Sequence, residues 1–376
     1  MKVLIAAGGT AGHINPALAI AGRIKAGCPE AEIHFAGRRK GMEYDLVTRA
    51  GYAFHHIEVN GIQRSLTPKN IARNIAAVWH LALAMPRAGA MLRQLQPDLV
   101  IGAGGYVSGP VLQAAARRGI PTAIHEQNAF PGVTNKILAK EVDVVFAASA
   151  AAVDRLGAPD KTLVVGNPVR PEVFRQDRAA ARKALGAGDR VVLLSFGGSL
   201  GARRINEVVA DLAAWHTKNR DFLHIHATGS RGVELFRRLG LEKGFAGAKQ
   251  LQVKEYIQDM PRMLAAADLV ISRAGALTLA ELEAAGRAAI LIPSPNVAEN
   301  HQYYNALELE KAGAAVVVEE KDLTGEKLIE LVDRLTSRPE TLAEMGQKAR
   351  ALARPDSLDL IWDRLCQLVP ALQGKH

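Results

Sequence analysis

The chain has 376 residues, 48% of them hydrophobic, with 47 Lys plus Arg against 38 Asp plus Glu for a formal net charge of +9. This is the composition of an ordinary folded protein, and it excludes both a disordered chain and a disulfide-built one; Cys28 and Cys366 have neither metal nor redox spacing and suit a reducing compartment. The length suits two domains. The positive surplus fits an anionic substrate or an anionic surface, whereas aromatic residues at 5% supply no stacking cluster, so no nucleic-acid partner is expected.

The chain opens on a strand, with no basic region followed by an apolar run and a small-residue cleavage site, and no apolar run reaches the roughly 18 residues of a membrane span. The expectation is a cytoplasmic protein whose membrane contact is peripheral. Val3, Leu4 and Ile5 form a short buried strand, and GGTAGH follows, where Gly8, Gly9 and Gly12 permit a tight turn. Asn15 reads as an N-cap and Pro16 as the first helical residue, so free N–H groups should face the loop and favour an anion. His13 sits at the carboxyl end of the strand, where open α/β sheets place ligands, and is a candidate base. Neither G-x-G-x-x-G nor G-x-x-x-x-G-K-[ST] occurs.

AEIHFAGRRKGMEYDLV continues as strand, loop and helix, and FHHIEV as a strand. Between Gln63 and Arg93, Ile71, Ile75, Val78, Trp79, Ala82 and Met85 recur at helical spacing, flanked by Arg64, Lys69, Arg73, Arg87 and Arg93. A core-facing helix with a basic outer side and a membrane-facing surface both fit that pattern. DLVIGAGGYVSGPVLQAAARRG and PTAIHEQNAFPGVTNKILAKEVDVVFAAS each run strand, polar loop, helix. Such alternation predicts a parallel sheet with helices on both faces.

VVGNPVRPEVF, with two prolines, reads as a linker, and RVVLLSFGGSLGARRINEVVADLAAW restarts the pattern. DFLHIHATG, AKQLQVKEYI, ADLVISRAGALTLAELEAAG, RAAILIPSP and AAVVVEE supply further strands. The two halves open alike, each with a strand, a glycine loop and a helix, so the fold class is α/β with two Rossmann-like domains facing a cleft. The expected domains are 1–165, 166–352, and a tail 353–376 whose helical spacing suits packing back onto the first.

Taken together, GGTAGHINPALAIA, GAGGYVSGP from Gly102, HEQNAFPGVTNK from His125, GNPVR from Gly166, FGGSLGARRIN from Phe196, SRAGALTLAEL from Ser272 and NHQYYNA from Asn300 resemble the MurG family of bacterial transferases, within glycosyltransferase family 28. One departure is Ala11, where the family usually has glycine. The resemblance implies a B-type glycosyltransferase fold in which UDP-N-acetylglucosamine (UDP-GlcNAc) is held mainly by the C-terminal domain. The acceptor, a polyprenyl-linked muramyl-pentapeptide, would use the N-terminal domain. It also implies inversion in one displacement, at the cytoplasmic face of the cell membrane.

The resemblance further assigns roles. His13 takes the acceptor proton, with Asn128 and Glu126 beside it as catalytic candidates. Thr10, Ala11 and Gly12 line the diphosphate pocket, and Asn128, Arg170 and Ser199 lie near the nucleotide. Ala276, Leu277, Thr278, Leu279, Ala280 and Glu281 surround the donor, with Glu281 on the ribose; Ile257 offers backbone to the uracil and Gln302 bonds the sugar. Because the acceptor stays in a bilayer, Arg73, Ile75 and Trp79 become a membrane-facing candidate on anionic lipid. No metal site and no cofactor are expected, since glycine loops can neutralise phosphate. A UDP-GlcNAc 2-epimerase, another lipid glycosyltransferase and a nicotinamide-dependent oxidoreductase are the alternatives.

Overall fold

The computed structural model describes residues 1–39, 41–59, 84–198 and 200–373. They divide into two units, one formed by Met1–Val169 with the segment from Asp356 onward, the other by Arg170–Pro355.

In the first unit seven strands, β1 (Lys2–Ala6), β2 (Glu32–Gly37), β3 (Ala53–His56), β4 (Leu99–Gly102), β5 (Thr122–Glu126), β6 (Val144–Ala147) and β7 (Thr162–Val164), form one parallel sheet in the order β3-β2-β1-β4-β5-β6-β7. β1 is central, with Val3 opposite Ile33 on one side and Leu99 on the other. Its uninterrupted apolar run reflects burial on both faces. Val3 and Ile5 join one core and Leu4 and Ala6 the other, as the two-residue period of a strand requires.

Helix α1 (Ala11–Gly27) covers the first face, and α2 (Met42–Arg49), α3 (Ser108–Ala116) and α4 (Val133–Glu141) follow their strands. α1 begins earlier than the sequence suggests. Thr10, not Asn15, is the N-cap, and its carbonyl already accepts from the amides of His13 and Ile14 at 3.1 and 3.2 Å. Pro16 therefore lies inside the helix, where it removes one i→i−4 donor.

The helix over residues 84–95 buries Ala84, Ala88, Leu92 and Leu95 against the second face, so this end of the amphipathic segment is core. Arg73, Ile75 and Trp79 lie outside the described residues. Among those described, no helix is long and apolar enough to cross a membrane.

The second unit carries β8 (Val192–Phe196), β9 (Leu223–Ala227), β10 (Leu251–Lys254), β11 (Leu269–Ser272), β12 (Ala288–Leu291) and β13 (Ala315–Val317), all parallel, in the order β10-β9-β8-β11-β12-β13. Its helices include α5 (Arg203–Asn219), α6 (Ala276–Ala285) and α7 (His301–Lys311). The last helix, α8 (Ser357–Leu368), returns to the first unit and packs Ile361, Leu365 and Cys366 into the core that α1 covers. Arg23 stacks on Trp362 at 4.7 Å and pairs with Asp359 at 2.9 Å. A Cβ on Gly27 would stand 2.4 Å from the Trp362 ring, so only glycine admits that approach.

In both sheets the strand order reverses direction beside the strand that opens the unit, β1 or β8. Open α/β sheets bind ligands outside the carboxyl ends of their strands at that point. Each glycine loop leaves from it.

Candidate active site

In the first unit the loop after β1 is held from below by Glu43 of α2, which is 1% exposed and accepts from the amides of Gly9 at 3.4 Å and Arg38 at 3.1 Å. The loop after β4 lies directly against it. A Cβ on Gly105, whose φ is +84°, would stand 2.2 Å from the Gly8 carbonyl oxygen. The Ser108 hydroxyl, 2.9 Å from both Ala6 O and Gly104 O, ties the two loops together.

His13 is oriented by this packing. Its Nδ1 is 3.0 Å from the Gly8 carbonyl, which can only accept, so Nδ1 carries the proton and Nε2 presents a lone pair. Thr10 Oγ1 lies 3.4 Å from the same Nδ1. The side chain is half-buried, and burial pushes the imidazole below its ordinary pKa while the Gly8 bond pulls it partly back. A neutral ring with a lone pair is what a general base needs. The ring lies over Gly104 (φ +95°), where a Cβ would be 2.6 Å from His13 Cδ2, 3.0 Å from its Nε2 and 3.3 Å from Gln127 Oε1. The amides of Ala11 and Gly12, in the first turn of α1, have no intrahelical partner by helix geometry and favour an anion there.

The four residues after Ile124 divide their work. His125 is fully buried, donates through Nε2 to Gly166 O (3.1 Å), accepts at Nδ1 from the Gln127 amide (3.0 Å), and is pushed down to about 4, chiefly by burial. Glu126, 2% exposed, accepts at Oε1 from Asn128 N and Nδ2 (2.9 and 3.0 Å) and at Oε2 from Gly132 N and Asn135 Nδ2 (3.2 and 2.9 Å). Burial raises its pKa and those bonds oppose the rise. Both Glu126 oxygens are thus engaged within the loop, two of the four bonds holding Asn128. Asn128 is the half-buried member.

Sequence reasoning missed three groups here. Gln127 Oε1, Asn135 Oδ1 and Asn167 Oδ1 are buried and without a hydrogen-bond partner among the described residues. An amide just beyond a strand's carboxyl end is the signal that could have found Gln127.

In the second unit the loop after β8 contains Gly198 (φ +93°) and Gly201 (φ +78°), while Ser199 lies outside the described residues. A Cβ on Gly201 would stand 2.1 Å from Thr228 O, a backbone contact that admits glycine alone.

α6 starts at Ala276 behind Gly275, and the Leu279 amide returns to Gly275 O at 3.0 Å, which leaves the amides of Ala276, Leu277 and Thr278 at an unpaired helix N-terminus. Leu279 and Ala280 are buried in the helix's apolar face, so only their main chain could meet a ligand. The same holds for Ile257, a core side chain beyond β10.

Glu281, one helical turn on, lies 3.5 Å from Arg170 Nη2 and so joins two residues singled out separately in the sequence. Burial raises its carboxyl pKa and the guanidinium lowers it. Gln302 of α7 accepts from the Ser294 amide at 2.9 Å, which leaves its NH2 end to donate. Arg273, missed in the sequence, bonds Ile292 O and Pro293 O at 3.2 and 3.1 Å and pairs with Glu320, pinning the strand ends around α6. Among the described residues no three His, Cys, Asp or Glu side chains are arranged to hold a metal ion.

The glycosyltransferase family 28 N-terminal domain matches residues 3–147, and the family's C-terminal domain matches residues 192–361. The chain is 40% identical, over 99% of its length and 100% of the relative's, to the UDP-N-acetylglucosamine--N-acetylmuramyl-(pentapeptide) pyrophosphoryl-undecaprenol N-acetylglucosamine transferase of Desulforamulus reducens. The crystal structure of Acinetobacter baumannii MurG is similar at a TM-score of 0.75 and 31% identity, covering 97% of this chain and 99% of that one. The UDP-GlcNAc 2-epimerase of Neisseria meningitidis, at 14% identity and a TM-score of 0.65 over 98% and 100% of the two chains, shares the fold alone. Two parallel α/β units, matched end to end in this way, place the chain in glycosyltransferase family 28 and, within it, in the MurG family.

Proposed function

We propose that this chain transfers N-acetylglucosamine from UDP-GlcNAc to the muramyl hydroxyl of an undecaprenyl-pyrophosphoryl-muramyl-pentapeptide, the step that completes the lipid-linked disaccharide of peptidoglycan. The end-to-end match to a transferase of that specificity carries the reading. In the proposed mechanism His13 Nε2 removes the acceptor's hydroxyl proton as its oxygen attacks the anomeric carbon and the bond to UDP breaks, with inversion and no covalent intermediate. His13 suits the step because its Nδ1–H is held on Gly8 and burial favours its neutral form. Asn128, fixed by Glu126, acts beside it.

The departing diphosphate gains charge, and preorganised amides stabilise such charge best. The first turns of α6 and α1, the latter with Thr10, Ala11 and Gly12, are the proposed donors, with Ser199 in the second loop. Glu281 accepts from the ribose hydroxyls, and Arg170 balances its charge. Ile257 offers main chain to the uracil, and Gln302 its NH2 to the sugar. The reaction drawn this way uses no cofactor.

Incubation with UDP-GlcNAc and the lipid-linked acceptor tests the reading. UDP release that depends on acceptor and matches disaccharide formation supports it; acceptor-independent release, or epimerised sugar, overturns it.

Peripheral docking on the anionic cytoplasmic leaflet follows from an acceptor that stays in the bilayer, and the basic, apolar stretch that carries Arg73, Ile75 and Trp79 is the proposed surface. A Trp79→Glu, Arg73→Glu double variant should lose binding to anionic vesicles in a sedimentation assay, and unaltered binding would refute that surface.

A further inference from the structure

Behind the second glycine loop lies a continuous file of buried polar side chains that the proposed reaction does not use. His216, near the end of α5, places Nε2 3.0 Å from His224 Nδ1 in β9; His224 Nε2 is 2.7 Å from Ser195 Oγ in β8. Ser195 Oγ is 2.8 Å from His226 Nδ1, and His226 Nε2 is 3.2 Å from Oδ1 of Asn206, in the first turn of α5. Asn206 Nδ2 then donates to Thr228 O at 3.0 Å. None of the five side chains exceeds 1% exposure.

One end of the file determines every proton in it. Thr228 O only accepts, so it faces the NH2 of Asn206, and Asn206 Oδ1 faces His226. That oxygen also only accepts, so His226 is the Nε2–H tautomer and its Nδ1 accepts from the Ser195 hydroxyl. The Ser195 oxygen must then accept from His224 Nε2–H, and His224 Nδ1 from His216 Nε2–H. The remaining lone pair, on His216 Nδ1, is the atom left buried without a partner among the described residues. An acceptor is the less demanding group to leave so, and the assignment accounts for it. All three rings are neutral in this order. Burial agrees, pushing His216 to about 4, His226 to about 3 and His224 well below its ordinary value.

The file ends on the backbone of the loop. Thr228 O occupies the place of a Gly201 side chain, a Cβ on Gly229 (φ +72°) would be 2.0 Å from Gly201 N, and one on Gly232 would be 2.1 Å from Asn206 Nδ2. The loop after β8 and the turn after β9 therefore meet main chain to main chain, and the Asn206 amide is the clamp between helix and turn. We infer that Ser195, His224 and His226 are positioning residues for the nucleotide diphosphate: a one-way hydrogen-bond file that holds Asn206 in the single orientation that sets the second glycine loop. The inference rests on the donor being held at that loop, as proposed above.

Ser195→Ala cuts the file with the loss of one oxygen, whereas His216→Met at the open end removes only the last bond and leaves the order from His224 onward. With the full chain, Ser195→Ala should raise the Kd for UDP and the KM for UDP-GlcNAc about tenfold, the scale of one mispositioned hydrogen bond, and change kcat far less. His216→Met should lower the melting temperature while moving KM less than about twofold.

Long-range 1H–15N correlation spectra of the wild-type protein at pH 7 should show His216, His224 and His226 as neutral Nε2–H tautomers. An Nδ1–H tautomer or an imidazolium at His226 overturns the inference whether or not any variant folds. UDP binding by Ser195→Ala equal to wild type overturns it as well. A wild-type protein that fails to bind UDP would instead refute the donor reading, while the tautomers still report on the file.

Discussion

Replacing His13 tests the chemistry most directly. General-base assistance is worth about 10²- to 10⁴-fold, or about 3–5 kcal/mol at roughly 1.4 kcal/mol per decade. Because Nδ1–H is held by Gly8 O at 3.0 Å and burial depresses the ring's pKa, the base form is favoured at neutral pH, and His13→Ala removes it. The kcat should fall by at least about a hundredfold, with a much smaller change in the KM for UDP-GlcNAc because His13 is assigned to the acceptor hydroxyl and not to the nucleotide.

Gly104→Ala makes the same point without touching the base. Its Cβ would lie 2.6 Å from His13 Cδ2 at a φ of +95°, so the ring must turn away, and kcat should fall about tenfold or more as a near-attack alignment is lost. The sign of the pH dependence follows. The base must be deprotonated, so kcat/KM falls as pH drops through the His13 pKa, and since that pKa is lowered the acid limb lies below pH 6.5. Steady-state UDP release with lipid-linked acceptor from pH 5 to 9 measures all three. A His13→Ala variant that keeps more than about a tenth of wild-type kcat, or an acid limb centred above 6.5, refutes the assignment.

Two stability predictions accompany it. Glu283 of α6 is raised to about 8, first by burial and then by Glu308, so folding favours its protonated form; wild-type stability is complete below the ordinary carboxyl pKa of 4.5 and is lost as pH rises through about 8. Glu283→Gln should therefore melt higher than wild type at alkaline pH and nearly equally at pH 5, and parallel melting curves across that range would refute it. Leu365 of α8 is fully buried in the core that α1 covers. Leu365→Ala should destabilise the first unit by about 2–5 kcal/mol in urea unfolding, and a loss below about 1 kcal/mol would mean that α8 does not complete that core.

The sequence carries the architecture because strand burial is written locally. Val3–Ile5, Leu99–Ile101, Val192–Leu194 and Leu269–Ile271 are short apolar runs, each followed by a polar or glycine-rich loop and most then by a helix, and a strand covered on both faces can read no other way. The glycine loops were legible for the same reason, since positive φ at Gly9, Gly104, Gly198 and Gly201 requires that residue. Local preference misled at the start of α1, where Asn15 and Pro16 suit an N-terminus but the chain turns helical at Ala11, with the Thr10 carbonyl already engaged.

What the sequence by itself determined is thus the fold, the two glycine loops at the reversal points of their sheets, and the histidine beside the first. Tertiary structure alone decided which polar residues stay accessible and which are consumed inside. His125, Glu126 and Gln127 are buried and Asn128 less so, Leu279 and Ala280 belong to the core, Glu43 and Arg273 brace loops, and five side chains from β8, β9 and α5 line up behind the second loop. The physical reason is that periodicity reports only whether a position is buried. A polar group's role depends on the partner it finds, and those partners come from other strands and helices, as Arg170 finds Glu281 across 111 residues of chain.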